Sequence, residues 1–410
     1  MSTYTLDTDQ QSALNSIIAL CEQRLSGTCS NSGSDSPHVV VVIQGAAGTG
    51  KSVLLTSLFI ALSSRSRMHQ SDEIPSADAL SGIDVRIMVN HAQMWKRYKD
   101  IAGNNPQLRK SQVLRPTPYI NTADRNGKGA DIALVDEAHL LLTQPNPYMH
   151  FHAENQLKEI VRLSKITVIA YDEAQVLRLR SMWNDDVLSE ALNDAEVINI
   201  NLGTQHRMGA SLGVRNWIES LLDEDSVVSP PPSEDQGFEM KVFADAGKMR
   251  DAIVERSGRG SARLLSTYDY PYRLDGADYF IDEPGLHIPW DRYVPQASLA
   301  WPQRPETLNE VGSVYTIQGL DLDWAGVILG PSNVLSDQGT LCVKPDVYQD
   351  QAAFAGVARL RAKGLDAQEI EHNRERVLRN ALMTLLTRPR KGLFLYAHNP
   401  QLLHALCSIQ

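Results

Sequence analysis

Short, continuous apolar runs alternate along this chain with stretches in which apolar residues recur every three to four positions. Val39-Val40-Val41-Val42-Ile43 is β-branched throughout, and Ile132-Ala133-Leu134-Val135 and Ile166-Thr167-Val168-Ile169-Ala170 are short runs of the same kind of buried strand. Val85-Arg86-Ile87-Met88-Val89 reads as a further strand. Residues 7–25 place Ala13, Leu14, Ile17, Ile18 and Cys21 on one helical face, and further helices are predicted around 53–58, 94–101 and 154–163. Strands alternating with helices predict an α/β fold with a mainly parallel sheet flanked by helices.

The pattern then starts again. Val197-Ile198-Asn199-Ile200, a helix over 211–222, Gly326-Val327-Ile328-Leu329 and Leu393-Phe394-Leu395-Tyr396 predict a second unit of the same class. The boundary is expected near 191–196, giving domains 1–192 and 193–410. Residues 26–37 are rich in Ser and Gly, 230–235 are proline-rich and polar, and 284–305 hold three prolines between the terminal pair; all three read as irregular surface.

A length of 410 residues suits two domains. With 42% hydrophobic and 21% charged residues, the composition is that of a globular protein. No apolar run reaches the roughly 20 residues that span a bilayer, and residues 1–9 have neither the basic start nor the apolar core of a secretory signal. Cys21, Cys29, Cys342 and Cys407 show no metal-type spacing, so reduced thiols and a cytoplasmic location are expected. The net charge of −10 argues against a surface coated with nucleic acid but leaves room for a local basic groove.

Candidate chemistry begins at Gly45-Ala46-Ala47-Gly48-Thr49-Gly50-Lys51-Ser52, between a predicted strand and a predicted helix. Glycines at these positions let backbone N–H groups turn towards a polyphosphate, and the helix adds its positive end. Lys51 is expected at the β- and γ-phosphates and the Ser52 hydroxyl on Mg²⁺, so the chain is read as binding a nucleoside triphosphate. Asp136 and Glu137 follow a buried strand, at the end that faces the ligand crevice in such sheets. Asp136 suits Mg²⁺ held through water, and Glu137 suits orienting and deprotonating an attacking water. The alternative is a carboxylate pair capping the next helix.

Gln175, after the strand that leads to Asp172-Glu173, could sense a γ-phosphate or simply cap a turn. Arg207 and Arg388 each lie beside a predicted strand of the second half. An arginine brought to the γ-phosphate stabilises developing charge, though most arginines are solvated surface charges.

In this order the motifs resemble those of superfamily 1 helicases, which implies two RecA-like P-loop NTPase lobes with ATP and Mg²⁺ as cofactors. Residues 6–13 are similar to the adenine-reading Q motif and point to Gln10. The phosphate loop is similar to motif I, Val89-Asn90-His91 to motif Ia, and Asp136 to His139 to motif II. Gln175 falls on motif III, Gln205-His206-Arg207 on motif IV, residues 315–323 on motif V with Gly319 and Asp321, and Leu386-Thr387-Arg388 on motif VI.

Residues 312–320 and 324–330, with Asn380, Lys391-Gly392 and Trp217, carry a closer resemblance to the Schlafen group 3-like DNA/RNA helicase domain family. Two residues depart from the family pattern: Pro389 stands where Gly is usual, and Asp321 where Glu is usual, one methylene shorter towards a ribose. Relatives often carry a nuclease domain ahead of the motor, and none fits before Gln10. Nuclease activity is therefore not implied by the resemblance, and a protein partner is the candidate source of a nuclease or strand-separating element.

The resemblance implies single-stranded DNA or RNA as partner, with Asn90, His91, Thr316 and Gln318 as candidate contacts. Trp95, Lys96, Arg97, Tyr98 and Lys99 either extend that surface or form an ordinary helix face with one packed aromatic. About 80 residues separate motifs I and II, which leaves little room for inserted subdomains. The leading expectation is an ATP-dependent helicase or single-strand translocase. The rival is an ATP-gated interaction module that ignores nucleic acid, and a P-loop kinase is a weaker third.

Overall fold

Val39 to Ile43 are all at most 2% exposed, so the first apolar run forms a strand with both faces covered. The computed structural model describes residues 6–26, 38–45, 48–68, 78–172, 175–181, 183–203, 209–223, 226–231, 237–292, 294, 296–297, 299–317, 320–362 and 364–407. The chain divides into two compact units, Met1–Val176 with Arg180–Gln205, and Leu177–Leu179 with His206–Gln410.

The strands of the first unit are β1 (His38–Gln44), β2 (Val85–Val89), β3 (Val113–Leu114), β4 (Ala130–Asp136), β5 (Ser164–Tyr171) and β6 (Ala195–Asn201). They make one sheet in the order β3-β2-β4-β5-β1-β6, every neighbouring pair parallel. Its helices are α1 (Thr8–Leu25), α2 (Lys51–Met68), α3 (Ala92–Asn104), α4 (Pro116–Asn126), α5 (Gln156–Arg162) and α6 (Asp185–Ala191). Asp7 and Gln10 close a reciprocal capping box that starts α1, satisfying two backbone donors that the first turn leaves open. Because β5 lies between β1 and β4, the residues that follow Gln44, Val135 and Tyr171 emerge side by side at one edge.

Val197-Ile198-Asn199-Ile200, expected to open the second strand series, lies instead in the edge strand β6 of the first sheet, in register with β1 from His38↔Ala195 to Gln44↔Asn201. Ile198 and Ile200 pack against the core beneath α1 while Val197 stays 40% exposed, so the strand is half-buried and its partner is decided by tertiary packing.

The second unit contains β7 (Glu239–Val242), β8 (Ala262–Ser266), β9 (Tyr279–Glu283), β10 (Leu286–Trp290), β11 (Val311–Gly312), β12 (Leu322–Leu329) and β15 (Pro389–Ala397) in the order β7-β15-β12-β8-β11-β10-β9. Only the β9–β10 hairpin is antiparallel in this sheet. A separate two-stranded pair joins β13 (Asn333–Leu335) to β14 (Leu341–Val343). The helices are α7 (Leu212–Leu222), α8 (Ala246–Ser257), α9 (Val314–Ile317), α10 (Val357–Ala362), α11 (Ala367–Leu386) and α12 (Pro400–Cys407). Both units are thus mainly parallel α/β layers, as the alternation of the two patterns predicts.

Two prolines show how the strands tolerate a missing donor. Pro389 is the first residue of β15, where no ladder hydrogen bond is lost. Pro289 lies inside β10, in a segment expected to be irregular. There β11 pairs with β10 only at Trp290, so the side of the strand next to Pro289 asks for no N–H.

Candidate functional site

The phosphate loop leaves β1 at Gln44 and re-enters regular structure at Lys51, the first residue of α2. Gly48 and Gly50 have φ of 92° and 82°, a region that side chains rarely adopt. At Gly50 a Cβ would also stand 2.2 Å from Gln10 Nε2. Gln10 is 5% exposed and donates that amide N–H to the Thr49 carbonyl at 3.1 Å, so its side chain is built into the loop's wall. Ala46 and Ala47 lie outside the described residues.

The Lys51 ammonium donates to the Gly45 carbonyl and stands 3.1 Å from Asp172 Oδ2. Gln175 Nε2 donates to the same Asp172 oxygen at 2.6 Å, and both partners are buried. Burial pushes the Asp172 carboxyl up, but Lys51, His139 and the Gln175 amide outweigh it and hold the group below the usual carboxylate range. The sequence alone gives Asp172 no role. Its signal was there, a carboxylate at the end of a buried strand, but the choice of Lys51 as partner depends on β5 lying next to β1.

On the other side of the loop, Ser52 Oγ donates to Asp136 Oδ1 at 3.0 Å, and the Glu137 N–H donates to the same oxygen at 3.0 Å. The Tyr98 hydroxyl donates to Asp136 Oδ2 at 2.7 Å. Burial, and then the neighbouring Glu137 carboxylate, push the Asp136 carboxyl up to about 6 against the pull of these hydrogen bonds. Glu137 adopts a left-handed backbone, φ 51°, which turns its side chain so that Oε2 lies 3.1 Å from His139 Nε2. Asp136 and Glu137 do not cap an α-helix; a single 3₁₀ turn over Ala138–Leu140 follows them.

The candidate polymer contacts of this unit face inward more than expected. Asn90 Nδ2 donates to the Leu140 carbonyl at 2.8 Å, and His91 Nδ1 accepts the Met94 N–H as the N-cap of α3. Tyr98 is 1% exposed, the packed aromatic of its helix, whereas Lys96 and Arg97 are exposed. Lys99 Nζ lies 5.0 Å from the centre of the Trp95 ring.

In the second unit Arg388 is fully buried, and its Nε and Nη1 donate to the carbonyls of Thr384 and Leu320 at 3.1 and 3.4 Å. Asp321 Oδ2 lies 3.6 Å from Arg390 Nη2, and Thr316 Oγ1 donates to the Ser313 carbonyl. Tyr315 donates to Asp350, and the Arg178 guanidinium sits 4.9 Å over the Tyr315 ring. Arg207, with Gln205 and His206, and Gly319, with Gln318, lie outside the described residues. The structure therefore brings Gln10, Gly50, Lys51, Ser52, Asp136, Glu137 and Gln175 together in one unit, and describes Asp321 and Arg388 in the other.

Among the described residues no helix is long and apolar enough to cross a membrane, and no cluster of three His, Cys, Asp or Glu side chains could hold a metal. Residues 38–399 match the family model described as Schlafen group 3, DNA/RNA helicase domain. The uncharacterized protein YPL245W of Saccharomyces cerevisiae is 36% identical over 429 residues, which cover 98% of this chain and 90% of that protein. Among solved structures, the Pif1 helicase from Candida albicans is similar at 11% identity and a TM-score of 0.36, covering 99% of this chain and 97% of that one. The arterivirus nonstructural protein 10 helicase, solved with DNA, is similar at 13% identity and a TM-score of 0.36, covering 95% and 65%.

Proposed function

The chain belongs to the Schlafen group 3, DNA/RNA helicase domain family, and on that premise we propose that it is a nucleic-acid-dependent ATPase acting as a helicase or single-strand translocase. The observation that supports this most is the convergence of Lys51, Ser52, Asp136 and Glu137 at one edge of the first sheet, with Ser52 and Asp136 already in contact.

The residues fit a magnesium nucleotide. Ser52 Oγ and Asp136 Oδ1 are hard oxygen donors 3.0 Å apart, suited to Mg²⁺ held directly or through water. The glycine turns and the Lys51 ammonium suit phosphate oxygens. When bound, Mg²⁺ neutralises phosphate charge during transfer. Lys51 exchanges Asp172 for the β- and γ-phosphates. Glu137 accepts a proton from the attacking water, its carboxylate held by His139 at 3.1 Å. Gln175, released from Asp172, senses the γ-phosphate. Arg207 and Arg388 are assigned to the charge that develops on transfer, Gln10 to the adenine, and Gly319 and Asp321 to the ribose. Single-stranded DNA or RNA is the proposed polymer, with any nuclease or strand-separating element supplied by a protein partner. The free thiols of Cys21, Cys342 and Cys407 suit a reducing, cytoplasmic setting.

The test is steady-state ATP hydrolysis without polymer, with single-stranded DNA and with single-stranded RNA, using Glu137→Gln as the blank. Stimulation by either polymer supports the motor and names its track. A second reading, an ATP-gated interaction module, draws on the inward hydrogen bonds of Asn90 and Tyr98. Hydrolysis indifferent to both polymers would favour it.

A further inference from the structure

Tyr98 lies on α3, a helix whose outer residues Lys96 and Arg97 face solvent, yet its own ring is 1% exposed among core side chains such as Ile87, Val89 and Met94. A tyrosine so deeply buried needs a partner for its hydroxyl, and the partner here is Asp136 Oδ2 at 2.7 Å. The two oxygens of Asp136 are thereby distinguished. Oδ1 takes the Ser52 hydroxyl and the Glu137 N–H, and Oδ2 takes the phenol. Rotating the carboxylate about its Cβ–Cγ bond would break all three contacts. Asn90, just ahead of the same helix, makes a second tie to this segment through the Leu140 carbonyl at 2.8 Å.

We propose that Tyr98 is a positioning residue for the divalent cation: its hydroxyl fixes Asp136 from behind so that Oδ1 stays beside Ser52. The inference rests on the reading of Ser52 and Asp136 as the cation side of a nucleotide site. A group that orients a ligand carboxylate commonly alters metal affinity by 10- to 100-fold when it is removed.

Tyr98→Phe deletes the hydroxyl and keeps the ring that fills the core. Tyr119→Phe is the control, because Tyr119 is another buried phenol of the same unit and bonds Leu163 and Ser164 instead. The measurement is Mn²⁺ binding in the presence of ADP, followed by electron paramagnetic resonance, with ADP affinity in EDTA and the melting midpoint recorded on the same samples. The expected result is Mn²⁺ affinity about tenfold weaker in Tyr98→Phe, with metal-free ADP affinity unchanged and a midpoint shift no larger than that of Tyr119→Phe. Wild-type Mn²⁺ affinity in Tyr98→Phe, or equal weakening in Tyr119→Phe, overturns the positioning role while leaving the site intact. Absence of Mn²⁺ binding in the wild-type protein with ADP overturns the reading of the site itself, and this inference with it.

Discussion

Lys51 and Asp172 form an ion pair of 3.1 Å in which the two side chains are only 9% and 5% exposed. The pair joins the start of α2 to the end of β5 and gives Lys51 a counter-ion within the unit. Removing one partner of a buried pair strands the other charge, at a cost of about 3 kcal/mol. Asp172→Asn should lower the melting midpoint of the ligand-free protein, and a nucleotide should restore more of it than in the wild type, because phosphate then supplies the missing charge. Melting with and without Mg·ADP checks this; a nucleotide-induced shift no larger than that of the wild type would count against it. The pH sign follows from the depressed Asp172 carboxyl. Its contribution is complete above the unfolded carboxylate value of about 3.9 and is lost as pH falls through the lower folded value.

Asp136 should behave in the opposite way. Its folded value of about 6 stands above the unfolded one, so the ligand-free protein loses stability as pH rises between roughly 4 and 6 and carries a constant penalty above that, on the order of 3 kcal/mol. Asp136→Asn keeps the shape without the charge. The variant is expected to melt higher than the wild type at pH 7.5, with most of the advantage gone by pH 4.5. Parallel pH–midpoint curves for the two proteins would refute the assignment.

Gly50→Ala combines an unfavourable φ of 82° with a Cβ 2.2 Å from Gln10 Nε2. Relief requires Gln10 to give up its bond to Thr49, which loosens α1 from the loop. The expected loss is about 1–3 kcal/mol of stability and at least tenfold in nucleotide affinity, read by titration of a fluorescent ADP. Wild-type affinity in this variant would show that the loop does not need its observed backbone.

Arg388→Ala leaves the carbonyls of Thr384 and Leu320 without their donors, so a cost of about 2–4 kcal/mol is expected whatever its role in turnover. Arg388→Lys separates the two effects, because the stem and charge remain while the planar fork is lost. A role at the phosphates predicts turnover down by roughly 100-fold or more in Arg388→Lys, with ATP binding largely kept. Full turnover by Arg388→Lys would remove Arg388 from the chemistry.

The sequence by itself determined the parallel α/β class and the place of the glycine-rich loop between β1 and α2. Uninterrupted β-branched runs such as Val39 to Ile43 favour strands covered on both faces, and loop chemistry is a matter of neighbours along the chain. It also singled out Asp136 and Glu137, because a carboxylate pair ending an apolar strand is a local pattern. Other features depend on strand order, which no local pattern contains. β6 joins the first sheet because its half-buried face finds α1 and β1. Asp172 meets Lys51 because β5 lies beside β1. Tyr98, on a helix whose charged residues suggest a polymer surface, turns inward to Asp136 because β2, which leads into α3, pairs with β4. Periodicity reports which positions want to be buried; only the packed chain decides which buried polar groups find each other, because an unpaired polar group there costs free energy.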